Sequence, residues 1–82
     1  MVEVLPFPLV RRRAYVRRQA AWFCEQTAKG AENNLFRQMN VQRDALLNRG
    51  VDPERVEAEV RALEAAIRCE VWRLVLTPEL GA

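Results

Sequence analysis

Residues 53–76, PERVEAEVRALEAAIRCEVWRLVL, decide the fold of this 82-residue chain. Asp52 precedes the stretch as a candidate N-cap, Pro53 suits the first helical position, and Glu54 lies where a negative charge favours the helix dipole. Thr77-Pro78 would end the helix, because proline cannot continue it. The stretch therefore predicts a helix over residues 53–76.

Projected at 100° per residue, this helix has two opposite apolar faces. One, the aliphatic face, carries Val56, Val60, Leu63, Ile67, Val71 and Leu74. The other, the alanine face, carries Ala58, Ala62, Ala65, Cys69, Trp72 and Leu76. A helix that covers one core needs one apolar stripe, so two faces predict two partners: the chain's own core, and a second copy of the chain or another protein. The alternative is that the other helices and the N-terminal arm cover the alanine face within one chain.

Charged side chains fill the two flanks between these faces. Glu57–Arg61 and Glu64–Arg68 have the i,i+4 spacing and the orientation that stabilise a helix by about 0.3 kcal/mol per pair. We predict both as ion pairs within the third helix.

Two further helices are predicted upstream, which gives an all-α, three-helix arrangement in a single domain over residues 1–82. The first spans residues 8–28, from Pro8 to a stop at Lys29-Gly30, with Gly30 in a left-handed cap. The second spans residues 31–49 and ends at Gly50. Residues 1–7 form an extended arm, because Pro6 and Pro8 restrict their neighbours to extended backbone. Residues 77–82 form a C-terminal tail.

The core side of each upstream helix follows from helical spacing. In the first helix it comprises Leu9, Val16, Ala20, Phe23 and Thr27. In the second helix it comprises Ala31, Leu35, Met39, Gln42 and Leu46, flanked by Phe36 and Leu47.

Composition limits the function classes. The chain is 50% hydrophobic and 29% charged, which is typical of a globular domain. No apolar run approaches the roughly 20 residues that span a bilayer, and the N-terminus lacks signal-peptide features, so a cytoplasmic location without membrane contact is expected. The chain has no histidine and no serine, and it carries no phosphate-binding or nucleophile motif. We expect neither an enzyme nor a cofactor.

Cys24 and Cys69 are the two cysteines of the chain. They lie far apart in the sequence, and without histidine they cannot supply the four ligands of a structural zinc site. In a reducing compartment, isolated cysteines are most often small core residues, so we predict that both are buried. The alternative is a redox role for an accessible thiol.

The first helix combines arginine with aromatic side chains. Residues 1–29 carry six basic and two acidic side chains, whereas residues 52–82 carry four basic and seven acidic ones. Arginine beside aromatic rings suits nucleic acid and equally suits an acidic protein surface. A third possibility is that these side chains pack within the chain or a dimer. The predicted contact residues are Arg11, Arg12, Tyr15, Arg18 and Trp22.

Three segments resemble a known group of proteins. They are Val4-Leu5-Pro6-Phe7-Pro8 with the arginines that follow it, Arg49-Gly50-Val51, and residues 61–68, RALEAAIR. They resemble a family of short alphaproteobacterial proteins, many carried on prophages or mobile elements, that is catalogued as a domain of unknown function. The resemblance covers most of the chain. It implies a helical fold and a mobile-element setting, and it transfers no functional residue.

These observations favour a small helical interaction protein that is dimeric and acts as a regulator or inhibitor by binding a protein partner. The alternative is a nucleic-acid-binding regulator that uses the arginine-rich first helix. The predicted self-association residues are those of the alanine face: Ala58, Ala62, Ala65, Cys69, Trp72 and Leu76. No metal site is expected.

Overall fold

The computed structural model describes residues 12–76, which form three α-helices: α1 (Arg13–Cys24), α2 (Ala28–Asn48) and α3 (Pro53–Leu76). The predicted all-α, three-helix class is confirmed. The predicted extended arm, the predicted helical residues 8–11 and the C-terminal tail lie outside the described residues.

The bounds of α3 agree with the prediction. Asp52 is the predicted cap, since its carboxylate oxygen Oδ2 accepts hydrogen bonds from the backbone N–H groups of Glu54 and Arg55 at 3.1 and 3.3 Å. These bonds satisfy two donors that have no partner inside the helix.

The predicted break between the first two helices is wrong in position. α1 ends at Cys24, and α2 already begins at Ala28, so Lys29 and Gly30 lie inside α2. Thr27 is extended and caps α2, because its hydroxyl accepts a hydrogen bond from the backbone N–H of Gly30 at 3.1 Å. Gly30 therefore does not adopt the predicted left-handed cap. A threonine that satisfies a free N–H makes a helix start favourable three residues before the glycine.

The predicted end of α2 at Gly50 is confirmed. Gly50 has a φ of +86°, a conformation that favours glycine. The N–H of Gly50 bonds to the carbonyl of Leu47 at 3.0 Å, and the N–H of Val51 bonds to that of Leu46 at 3.2 Å. This is a Schellman motif, and Val51 and Leu46 are both buried beneath it.

The aliphatic face of α3 forms the centre of the core, as predicted. Val56, Leu63 and Ile67 have no exposed surface, and Val71 and Leu74 pack half-buried at the edge. The other core residues are Val16 and Ala20 of α1, Leu35, Met39 and Leu46 of α2, Val51, and Val60 of α3. Gln42 is half-buried, and Thr27, predicted on the core side, is an exposed cap.

Ion pairs show that α2 and α3 run antiparallel. Arg43 near the end of α2 contacts Glu57 near the start of α3 at 2.7 Å, and Arg68 of α3 contacts Glu32 of α2 at 2.7 Å. The predicted Glu64–Arg68 pair is confirmed at 3.1 Å. The predicted Glu57–Arg61 ion pair is wrong as a direct contact. The Glu57 carboxylate accepts hydrogen bonds from Arg43 of the neighbouring helix, and Arg61 acts on Glu57 only through its charge.

Candidate functional site

The arginines of α1 lack the carboxylate partners that the other helices provide. Arg12, Arg13, Arg17 and Arg18 are exposed, and none of their guanidinium groups forms a hydrogen bond or an ion pair with another residue between 12 and 76. No acidic residue occurs in the sequence of α1. By contrast, the ion-paired arginines of α2 and α3 are Arg43, Arg55, Arg68 and Arg73. Positive charge on α1 therefore remains open to an external anion.

The three arginines that belong to α1 lie on the two sides of a narrow apolar strip, and Arg12 precedes them as the N-cap residue. Arg13 and Arg17 line a shallow pocket beside Glu70 of α3, and Arg18 lies on the flank that faces α2. Exposed alanines separate the two flanks along the outside of the helix. We call this surface the basic face of α1: Arg12, Arg13, Arg17, Arg18, Ala14 and Ala21.

Glu70 partly screens one side of the basic face. The pKa of its carboxyl lies below its ordinary value mainly because Arg73 donates a hydrogen bond to it, and the charge of Arg17 adds to the effect. Arg17 acts on Glu70 through charge alone. The guanidinium group of Arg17 donates no hydrogen bond to the Glu70 carboxylate.

Tyr15, a predicted contact residue, joins α1 to α2. Its side chain is half-buried against the core, and its hydroxyl donates a hydrogen bond to Gln38 Oε1 at 3.2 Å. Burial raises the pKa of the Tyr15 phenol, and the charges of Arg12 and Arg18 oppose that rise. The Arg18 guanidinium lies 5.9 Å from the ring centroid, within the range of a cation–π contact. Tyr15 thus has an internal role and orients Arg18.

The remaining predicted contact residues divide between the two flanks of α1 and the undescribed part of the chain. Arg12 is exposed, and Trp22 is 45% exposed at the C-terminal end of α1. Arg11 lies outside the described residues. Arg13 and Arg17 were not predicted as contacts, although the absence of any acidic residue from residues 13–24 already indicated them.

The alanine face of α3 is exposed along its length. All six predicted residues are exposed, with Trp72 at 61% and Leu76 at 67%. Neither α1 nor α2 covers it, so the alternative in which the other helices wrap around α3 does not hold for residues 12–76. The predicted covering by the arm lies outside the described residues.

A shallow groove joins Trp72 to α2. Phe23, Val71 and Trp72 line it together with the Glu32–Arg68 ion pair. On the other side of that pair, Phe36 is 70% exposed, which makes it the most exposed large apolar side chain between residues 12 and 76. The sequence predicted Phe36 as a flank of the core stripe, so its exposure is a correction.

Both cysteines are exposed, which corrects the prediction of buried thiols. Cys24 is the last residue of α1, and Cys69 lies on the alanine face, opposite the core side of α3. No group of three or more metal-ligating side chains occurs within residues 12–76. None of the three described helices combines the length and the hydrophobicity that a membrane span requires.

Comparison with known proteins gives one match. Residues 1–81 match the model of a protein family described as a family of unknown function. No curated protein and no solved structure matches the chain. The match agrees with the resemblance to a domain of unknown function drawn from the sequence.

Proposed function

The chain belongs to that family, DUF6074, and we propose that it is a small helical interaction protein that regulates or inhibits a partner protein by binding an acidic surface on it. One observation supports this proposal above the others. Arg12 and the three arginines of α1 are exposed and have no carboxylate partner within residues 12–76, whereas four of the seven other arginines in that range are ion-paired.

Four like charges within the seven residues from 12 to 18 repel one another. An external anion would relieve this repulsion, and guanidinium groups bind carboxylates through two parallel hydrogen bonds. Clustered charge of one sign also steers a partner of the opposite sign and speeds its association.

The shape of the basic face suits a folded protein partner. Ala14 and Ala21 are exposed between the two arginine flanks, so a partner could approach the helix backbone closely there. Trp22 at the end of α1 is the kind of side chain that dominates binding energy in protein interfaces. Arginine and tryptophan are both enriched among the residues that contribute most of the binding energy in protein interfaces.

The proposal includes the setting that the resemblance implies. It places the chain in the bacterial cytoplasm and associates it with prophages or mobile elements of alphaproteobacteria. We expect the chain to bring no catalytic group to its partner and to act by occupying a surface on it.

Capture from a lysate of the native host tests the partner contact. We expect the wild-type chain to retain a partner after nuclease treatment, and Arg17→Glu/Arg18→Glu to lose it. The matched control is Arg37→Glu/Arg49→Glu, which makes the same change of charge at exposed positions outside α1. Equal retention by both double variants would contradict the basic face as the contact.

Nucleic acid is the other outcome of this test. If all captured material is lost after nuclease, binding of labelled duplex DNA should be measured over a range of salt. A nucleic-acid binder would show a log–log salt slope that falls by about one unit for each phosphate-contacting arginine removed. That result would replace the protein-partner proposal.

We further propose that the alanine face mediates self-association. It presents exposed small residues that permit close helix packing, followed by Trp72 and Leu76 as anchors. Light scattering should give a mass above the 9.5 kDa of one chain. Ala65→Glu should shift it toward the monomer, because a buried unpaired charge is strongly unfavourable.

The matched control is Ala65→Ser, which adds little volume and should keep the mass. Circular dichroism should show unchanged helicity in both variants, since Ala65 lies outside the core. A dimeric mass for Ala65→Glu would contradict self-association through this face.

A further inference from the structure

The residues of the alanine face are spaced symmetrically about the middle of the face. Its residues recur at intervals of 4, 3, 4, 3 and 4, centred on position 67. Its N-terminal half holds only alanine, and its C-terminal half holds the larger side chains. The six residues are Ala58, Ala62 and Ala65, then Cys69, Trp72 and Leu76.

We infer that two copies of the chain pair through their α3 helices in the antiparallel direction, about a two-fold axis level with Ile67; this inference rests on the self-association proposed above. In that arrangement, each large side chain faces a small one. Leu76 lies opposite the partner's Ala58, Trp72 opposite the partner's Ala62, and Cys69 opposite the partner's Ala65.

Parallel pairing lacks this complementarity. Trp72 and Leu76 would each face their own copy at one end, while alanine would face alanine at the other. The bulky end would hold the alanine halves apart and leave a gap there, and side chains beside a gap lose their dispersion contacts. The size gradient along the face therefore favours the antiparallel direction.

Charge complementarity supports the same direction. Glu59 and Arg73 lie on one flank of α3, where they pair with Arg55 and Glu70 of the same helix. The antiparallel axis brings each Arg73 toward the partner's Glu59, which joins these pairs into one network across the interface. On the other flank, Arg61 lies toward the exposed ring of the partner's Trp72. Arg61 forms no ion pair with a residue between 12 and 76, so its guanidinium can stack on that ring.

The arrangement has a consequence for the basic face of α1. α1 lies beside the Glu70 flank of α3, and α2 lies beside the opposite flank, where it binds Glu57 and Arg68. The two-fold axis that relates the antiparallel α3 helices places the Glu70 flanks of both copies on one side of the helix pair. The Glu57 flanks of both copies lie on the other side. Both copies of α1 therefore lie on the same side of the dimer, and the two basic faces form a bivalent surface.

Cross-linking between single-cysteine chains tests the direction. One chain is Cys24→Ser, which keeps only Cys69; the other is Cys24→Ser/Cys69→Ser/Ala65→Cys, which places its only thiol at position 65. The two are mixed with oxidised glutathione, which accepts the two electrons as each disulfide forms. Mass spectrometry then distinguishes the mixed product from each homodimer.

We expect the mixed 65–69 disulfide to form in excess over the 69–69 disulfide. In the antiparallel pair, the two Cys69 residues are displaced by about 6 Å along the helix axis, in addition to their separation across the interface. The combined distance between the two Cys69 Cα atoms exceeds the usual reach of a disulfide. Light scattering of the wild-type chain at the same concentration gives the oligomeric state independently.

The outcomes separate the two proposals. A dominant 69–69 disulfide in a dimer would establish parallel pairing and overturn the inference, while self-association would stand. A dimeric mass without either cross-link would place the interface on another face and would also overturn it. A monomeric mass would remove both proposals.

Discussion

Arg68 connects two helices through a single side chain. Its guanidinium contacts Glu32 of α2 at 2.7 Å and Glu64 of α3 at 3.1 Å. Hydrogen bonding to Arg68 lowers the pKa of Glu32, and the two carboxylates together raise the pKa of Arg68. All three side chains are between 40 and 53% exposed, so solvent limits the strength of these pairs.

The Arg68 pairs make stability depend on pH. The folded-state pKa of Glu32 lies below the ordinary value of 4.5, so its stabilisation is complete above that value and is lost as the pH falls through the folded-state pKa. We expect the free energy of unfolding to decrease as the pH falls below 4.5. In Arg68→Met the decrease should be smaller, because the interactions that lower the pKa of Glu32 come from Arg68.

Urea denaturation at pH 7 and at about pH 3 measures this difference. At pH 7, Arg68→Met should cost about 1 kcal/mol or less, as exposed pairs do. Arg37→Met is the matched control, because Arg37 forms no ion pair with a residue between 12 and 76. An identical pH dependence in all three proteins would show that the Arg68 pairs contribute nothing.

Helix ends are the features that separate the three elements. The stretch between α1 and α2 contains two possible breaks, the hydroxyl of Thr27 and the flexible backbone of Gly30. In the structure, Thr27 caps α2, and a side chain at Gly30 would crowd its hydroxyl, since an added Cβ would lie 3.1 Å from Oγ1. Glycine at position 30 therefore leaves room for the Thr27 hydroxyl that caps α2.

Thr27→Ala tests the cap. Removing the hydroxyl leaves the N–H of Gly30 without its partner, and the free energy of unfolding should fall by about 1 kcal/mol. Thr27→Ser keeps an oxygen in place and should lose much less. Chemical denaturation of the three proteins gives the comparison, and equal stability of both variants would mean that the hydroxyl does not stabilise the start of α2.

At the scale of the whole molecule, one small core holds three helices together. α3 supplies its most deeply buried side chains, and α1 and α2 pack on either side of them. The free energy of unfolding of a chain of this size is small, so the loss of one central side chain removes a large fraction of it.

Leu63→Ala should lower the free energy of unfolding by about 2 to 5 kcal/mol, because it creates a cavity at a site with no solvent exposure. Val41→Ala is the matched control, since Val41 is 52% exposed on α2, and its effect should be within about 0.5 kcal/mol. Thermal and urea unfolding measure both. A small effect of Leu63→Ala would indicate that the aliphatic face is not the centre of the core.

Local patterns predicted much of this protein from its residues alone. The bounds of α3, its aliphatic core face and the stop at Gly50 follow from helical periodicity and capping chemistry, which depend on residues a few positions apart. The same periodicity places the alanine face opposite that core face. Because three helices are too few to cover both faces of α3, the alanine face is left exposed.

Only the tertiary structure decided which neighbour each flanking side chain meets. Glu57 pairs with Arg43 and not with Arg61, and Tyr15 turns its hydroxyl to Gln38, because α2 lies beside those positions. The open charge on α1 is likewise a result of packing, since five of the seven carboxylates of α2 and α3 form ion pairs with arginines of those two helices. Periodicity identifies the face of a helix, whereas contacts across helices depend on their relative placement, which no local spacing encodes.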